Sequence, residues 1–397
     1  MDPTVFLLGA GRTDFKRNFR KEGKILRDIV AETARATLDD ARVPAADVNS
    51  GVVGNFAGGL YTRQLHLGSL LIDADPALKG IPTFHAEAAC ASGSVAVVAA
   101  IHQILSGLAD VVLVVGAEQQ KTMSPTEGAD VLAAAGDWDR EKPLFGEHMF
   151  PKLFARIAAQ YLAAHGLRQE TLADVVAKNY ENAQRNPLAQ KFGAPMTREQ
   201  ACTVTEDNPE FAPPLKISDC SQVTDGGAGI VLASRRYVER TGRKDVIRLA
   251  GFGHATDHLE LSKKDSPHFT VARKAIKQAY DRAGLTPGDI HAAEVHDCFS
   301  ISEVIQYELL GFAEPGHGWR LLADGATRFD GPIPVNVSGG LIADGHPVGA
   351  TGVRQVWEAC RQLTGTAGAR QLQDVSRFLC FNMGGSMTTN VCTIWTR

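Results

Sequence analysis

The chain has no surplus of either charge. Its 41 Lys and Arg face 45 Asp and Glu, giving a formal net charge of −4 over 397 residues. A nucleic-acid binder with a broad basic surface is therefore not expected. No apolar run reaches about 18 residues, so no membrane-crossing helix is expected. The seven cysteines, Cys90, Cys202, Cys220, Cys298, Cys360, Cys380 and Cys392, form no Cys-x-x-Cys pair and no regular spacing. That argues against a disulfide framework and against a structural zinc site, and no metal is expected. Reduced thiols place the expected compartment in the cytoplasm. Gly9-Ala10-Gly11 starts like a dinucleotide fingerprint, but Asp14 stands where its third glycine would be. No phosphate-binding GxxxxGK[ST] loop occurs. The segment 1–17 has no basic residue ahead of its apolar stretch and reads as a first strand, not a leader.

What is present is ample apolar content, 44% of residues, with 22% charged, as in ordinary globular proteins. The length predicts two or three structural units. The chain also repeats itself. Residues 31–55 overlay 273–297 without a gap, with Ala41 on Ala283, Asp47 on Asp289 and Val53 on Val295. Each copy reads helix, turn, strand. A second pair, 81–117 and 333–383, reads strand, small-residue loop, helix, strand. There Cys90 falls opposite His346, and Gly93 opposite Gly349. Duplication thus sets a thiol and an imidazole at equivalent positions near two helix starts. A helix N-terminus offers free amides and lowers the pKa of a cysteine placed there. Thiol plus imidazole makes a nucleophile and its base. Between the halves, 119–215 is irregular, with helical patterns near 152–165 and 170–185, and reads as an insertion over one end of the core.

Four segments carry a resemblance to the thiolase family over essentially the whole chain. Cys90-Ala91-Ser92 resembles its nucleophile motif. Gly345-His346-Pro347, within 336–352, resembles its histidine motif. Residues 218–228, SDCSQVTDGGA, resemble the segment closing the first half. His296-Asp297-Cys298-Phe299 is similar to the sterol-carrier-protein type, where common thiolases have Asn-Glu-Ala-Phe. Asn382 stands where most of the family carry a second catalytic cysteine. Cys380, two residues earlier, is expected to be buried by strand alternation.

The resemblance implies a five-layered αβαβα fold of two duplicated βαβαβαββ halves, an N-terminal one at 1–118 and 216–262 and a C-terminal one at 263–397. The loop domain, 119–215, would cover the substrate. It implies an acyltransferase with coenzyme A thioesters as substrates and no tightly bound cofactor. Cys90 would carry the acyl group, His346 would serve it as base, and Cys298 would shuttle the proton. His296 and His346 would hold an enolate oxygen, and the backbone amides of Cys90 and Gly384 a second oxyanion. His148-Met149 resembles a substrate-loop pair. His85 reads as structural, and Asn336 and Asp344 as orienting the loop before His346. The expected reaction is thiolysis of a 3-ketoacyl-CoA, or its reverse condensation. The alternatives are a C-acyltransferase dependent on a small OB-fold zinc-containing partner, or a non-catalytic acyl-CoA-binding scaffold. Relatives that cleave steroid side chains lack the nucleophilic cysteine, so Cys90 argues against that chemistry. No lipid-carrier domain is expected after Arg397. A homodimer or homotetramer is expected, joined through the edge strand near the nucleophile.

Overall fold

The computed structural model describes residues 4–397. Among the described residues eleven strands are formed: β1 (Val5–Arg12), β2 (Ser50–Gly54), β3 (Thr83–Ala86), β4 (Val111–Glu118), β5 (Glu210–Ala212), β6 (Leu215–Lys216), β7 (Gly226–Ser234), β8 (Ile247–Thr256), β9 (Ala292–Glu294), β10 (Arg377–Gly384) and β11 (Thr389–Thr396). Nine of them make one sheet in the order β3-β2-β4-β7-β1-β8-β11-β10-β9. Met1 to Pro3, which begin the expected first strand, lie outside the described residues.

The duplication is visible in that order. β1 and β8 meet antiparallel at the centre. From β1 the sheet runs outward through β7, β4 and β2, and from β8 through β11, β10 and β9. Helix α1 (Leu26–Ala41) packs on β1, β7 and β4, and the later helix Thr270–Ala283 packs on β8 and β11 in the same relation. Between the two halves of the sheet lie α2 (Ser92–Leu105), against β2 and β4, and the helix Thr351–Thr364, against β10, β7 and β1. These two helices touch each other. The result is the expected five layers: helix, sheet, paired central helices, sheet, helix. The central core contains Val97, Ile101, Val353 and Trp357 from the two helices, with Val114, Ile230 and Phe378 from the strands. Continuous apolar strands such as β4, buried at every position, suit a sheet covered on both faces.

Two details differ from the sequence reading. β8 occupies in the second half the place β1 has in the first, so the line drawn at residue 262 falls after the strand that opens that half. The strand expected near 333–337 shrinks to a single bridge, Ala293 with Val335. The reason is local: Asn336 has left-handed φ of 57° and gives its side chain to Glu303 and to the Val295 amide, so the ladder stops there.

Over one end of the core lie α3 (Pro125–Ala133), α4 (Trp138–Phe145), α5 (Met149–His165) and α6 (Leu172–Ala183). The last two fit the helical patterns read near 152–165 and 170–185. In chain order the three remaining long helices are α7 (Thr270–Ala283), α8 (Ser300–Leu309) and α9 (Thr351–Thr364).

A buried charge cluster ties the central helix α9 to the site above it. Arg354, with no solvent exposure, bonds Glu294 and, at 2.7 Å, Ser338 Oγ; its Nε is 3.4 Å from Asp344. Arg12 grips the same Asp344 carboxylate with two bonds, at 2.8 and 3.0 Å. Removing one member leaves buried charges unpaired. Arg354→Met is therefore expected to cost about 3–5 kcal/mol, seen as a lowered thermal midpoint.

Candidate active site

Cys90 sits in a one-turn helix, Ala89–Ala91, that runs straight into α2. Ala89 is held at φ 52°, a left-handed conformation that costs a non-glycine residue free energy. The side chain of Ser92 fixes it, accepting the Ala88 amide at 2.9 Å and donating to the Ala89 carbonyl at 2.6 Å. Small residues let the second half come close. A Cβ on Gly93 would stand 2.7 Å from the Gly349 carbonyl, and one on Gly349 would stand 2.6 Å from the Asn55 backbone. Duplicated Gly93 and Gly349 are thus where the two loops touch.

His346 follows a wide helical turn, Gly340–Asp344, and precedes α9 by one short turn, Val348–Ala350. Its backbone amide donates to Thr224 Oγ1 at 3.1 Å, and its Nδ1 is 2.6 Å from Thr351 Oγ1. Thr351 donates its own hydroxyl proton to the Pro347 carbonyl at 3.2 Å. The Thr351 oxygen is then an acceptor, His346 Nδ1 carries the ring proton, and Nε2 is free to take another. Burial, with Arg354 nearby, lowers the His346 pKa to about 3, so the ring is neutral.

His296 is held by Gln306, which bonds its backbone N–H and C=O at 2.7 Å each. Its ring lies 5.1 Å from that of His346 and perpendicular to it. Asn382 Nδ2 is 2.7 Å from its Nδ1, while Nε2 is buried with no partner. Burial, then His346 and Arg354, keep this ring neutral too, lowering its pKa well below the ordinary value. Asp297 turns the other way and accepts the amides of Leu341 and Ile342, fixing the turn that leads to His346.

Cys298 is buried but not remote. It lines one cleft of about 330 Å³ together with Cys90, His346 and His148. Burial first, then the neighbouring Cys90 and Asp297, raise its pKa well above the ordinary thiol value. The rest of the cleft is apolar, with Leu132, Phe150, Phe211, Ile217 and Phe299 among its walls. Phe299 is stacked on Phe154 at 4.4 Å.

Three sequence expectations are corrected here. The helix start does not lower the Cys90 pKa; burial dominates and pushes the thiol up to about 12, against the opposing amides of Gly385 and Cys90 itself. Cys90 and His346 therefore rest as neutral thiol and neutral imidazole, not as an ion pair. The second amide facing the sulfur is that of Gly385 rather than Gly384. Gly384 ends β10 and is pressed on the Ala88 carbonyl, which a Cβ there would approach to 2.1 Å. Finally, the pair His148-Met149 splits. His148 lines the cleft against Phe211, whereas Met149 starts α5 fully buried in the core.

A site of this composition has known counterparts. Residues 5–236 match the family model "Thiolase, N-terminal domain", and residues 253–397 match "Thiolase C-terminal domain-like".

The chain belongs to the thiolase family.

It is 37% identical over 394 residues to an acetyl-CoA acetyltransferase of Methanothermobacter thermautotrophicus, covering 99% of each chain. It is 29% identical over 396 residues to sterol carrier protein 2 of Homo sapiens, covering 96% of this chain and 70% of that one. Among solved structures, an Ltp2-ChsH2(DUF35) aldolase superposes with a TM-score of 0.82 at 23% identity, over 98% of this chain and 97% of that one. This thiolase is accordingly an acyltransferase with a thiolase fold.

Three supporting residues of this thiolase escaped the sequence reading. Glu118, at the end of β4, is buried and accepts four N–H groups, from Phe56, Ala57, Gly349 and the Asn55 side chain. It clips the His346 loop to the first half, and burial raises its carboxyl to about 7. Thr351 sets the His346 tautomer. Lys264 is buried and donates to Ser386 O, Ser386 Oγ and Thr388 Oγ1 at 2.6, 2.8 and 2.7 Å. It thereby holds the turn that presents the Gly385 amide to Cys90. Burial lowers its pKa to about 8, opposed by Asp257 and Glu141. A lone lysine in a polar stretch carries no motif, so only the fold exposes its role. Lys264→Met is expected to lower kcat about 10–100-fold with little change in KM, the result a displaced Gly385 amide would give were it to bind charge that develops only in the transition state. Steady-state kinetics with a thermal melt of the same variant check this.

Among the described residues, no helix is long and apolar enough to cross a membrane. All seven cysteines are free. His85, read as structural, lies 2.7 Å from the Asn55 carbonyl through Nε2.

Proposed function

We propose that this thiolase cleaves a 3-ketoacyl-CoA with CoA, or runs the reverse condensation, through an acyl group carried on Cys90. The observation that supports it is the convergence of Cys90, Cys298 and His346 on one apolar cleft, with His296 directly behind. Cys90 Sγ attacks the keto carbon and its proton passes to His346 Nε2. The bond between C2 and C3 breaks, and its electron pair becomes the enolate of acetyl-CoA. Cys298 protonates C2 and is left as thiolate. That thiolate takes the proton of an incoming CoA thiol, which attacks the acyl-Cys90 thioester. Cys90 leaves as thiolate and recovers its proton from His346. The net transfer is one proton from CoA sulfur to C2.

With Asn382 donating to Nδ1, His296 carries its proton on Nε2 and serves as the enolate donor. The amides of Cys90 and Gly385 serve the second oxyanion. Losing one such donor typically costs about 10²–10³ in rate. His148 would contact the pantetheine arm or acyl chain. No tightly bound cofactor enters these steps.

Thiolysis of acetoacetyl-CoA, followed by loss of the enolate absorbance on adding CoA, tests this reading. Turnover by wild type and none by Cys90→Ala supports it. No turnover with any 3-ketoacyl-CoA of a chain-length series contradicts it.

The likeness to the Ltp2-ChsH2(DUF35) structure favours one second reading, that the same chemistry needs a small OB-fold zinc-containing partner. Activity that appears only on adding such a protein decides for it. For assembly we propose a dimer or tetramer in the cytoplasm, joined through the edge strand β3. That strand carries exposed Phe84, with exposed Leu65 close by in sequence. Light scattering at no less than twice 42.5 kDa is the expected result.

A further inference from the structure

The residues of the reaction centre also form a donor set with a different chemistry. Cys90 Sγ and one ring nitrogen each from His296 and His346 all lie within 4.8 Å of one another, and the three side chains are buried. Each ring has its Nδ1 engaged from behind, by Thr351 at 2.6 Å and by Asn382 at 2.7 Å. Each therefore leaves Nε2 for a ligand, and His296 Nε2 has no partner at all. Metal-binding histidines show this pattern, one nitrogen on the metal and the other held by a second group. A thiolate and two imidazoles are zinc donors, and the cleft leaves a fourth position open.

We propose that Cys90, His296 and His346 bind one zinc ion when no acyl group is present, so that metal and substrate compete for Cys90.

Zinc bonds of about 2.0–2.3 Å place tetrahedral donors about 3.5 Å apart. With the donor atoms no more than 4.8 Å apart, they need to close by at most about 1.3 Å. The Cys90 thiol loses its proton to solvent as the sulfur–zinc bond forms, and nothing is oxidised. His346 already has the required tautomer. His296 reaches it when the Asn382 amide turns over, since Nδ1–H then meets Asn382 Oδ1, an atom buried without a partner. Zinc is here a reversible blocker, not a cofactor: it occupies the nucleophile, the base and the enolate donor at once. A chelator or excess free thiol removes it.

Metal binding at these three side chains is measured without reference to turnover. The full chain is titrated with Co²⁺ as a coloured probe, then with Zn²⁺ to displace it. The expected result is one tight equivalent with a near-ultraviolet sulfur-to-cobalt band, lost in Cys90→Ala and weakened in His296→Ala. A parallel measurement uses wild type alone: one equivalent of Zn²⁺ should slow alkylation of Cys90 at least tenfold, while the more exposed Cys202 reacts unchanged. No tight equivalent, a band that survives Cys90→Ala, or unprotected Cys90 overturns the proposal. Zinc binding in a protein that transfers no acyl group would instead count against the proposed function alone.

Discussion

Cys298→Ala is expected to separate the two half-reactions. The variant should still take an acyl group onto Cys90 from an acyl-CoA, since Cys90, His346 and the amides of Cys90 and Gly385 are intact and the departing CoA, a stable thiolate unlike a carbanion, can take from solvent the proton that Cys298 would otherwise supply. Making or breaking the carbon–carbon bond should fall about 10²–10⁴-fold, the usual contribution of a positioned acid or base. The α-proton of a thioester is too weakly acidic to move unaided, and Cys298 lies beside Cys90 in the cleft. Cys220 lines the same cleft but donates its thiol to the Lys216 carbonyl at 3.4 Å. Cys220→Ala is the control and should leave both steps nearly unchanged. Rapid-quench measurement of acyl-enzyme beside steady-state thiolysis distinguishes the steps. A Cys298→Ala enzyme with normal thiolysis would remove Cys298 from the mechanism.

His346→Asn should behave differently, losing both half-reactions by about 10²–10⁴-fold. The pH dependence follows from the neutral pair. His346 is protonated only near pH 3 and Cys90 ionises only near pH 12. Glu118, the clip on the His346 loop, itself titrates near 7, so the comparison is made in a Glu118→Gln background: lowering the pH from about 8 to 5, across the range where an ordinary histidine gains its proton, should leave the acylation rate of that free enzyme flat. A rate that falls through that range as the imidazole charges would show a base of ordinary pKa. An ion-paired thiolate would lose rate on the acid side as the thiolate is protonated.

How the site could be read from sequence depends on what kind of signal each residue leaves. Cys90 and His346 were legible because duplication places them opposite each other, and because small residues crowd both. Cys298 and His296 were legible only through a four-residue motif. The duplication followed from the repeated order of helix, turn and strand, and the five layers from the family resemblance. Electrostatics was not legible. A helix start predicts a more acidic thiol, but depth of burial outweighs it at Cys90, and depth is a property of the assembled layers. Gly385 rather than Gly384 facing the sulfur depends on where β10 ends, a matter of one residue. Lys264 and Glu118 act through bonds to distant loops, at separations such as the 122 residues between Lys264 and Ser386. No local pattern encodes such pairs. Met149 was misplaced for a related reason: the motif names neighbours, and a helix start turns one into the cleft and the next into the core.

The proposed chemistry requires that Cys90 become acylated. Peptide mass mapping after incubation with acetyl-CoA tests it most directly, with Cys90→Ala alongside. The predicted result is one acetyl group on the Cys90 peptide, absent from the variant and removed when free CoA is added. An acetyl group on another cysteine, or an unmodified Cys90 with every acyl-CoA of a chain-length series, would contradict the account.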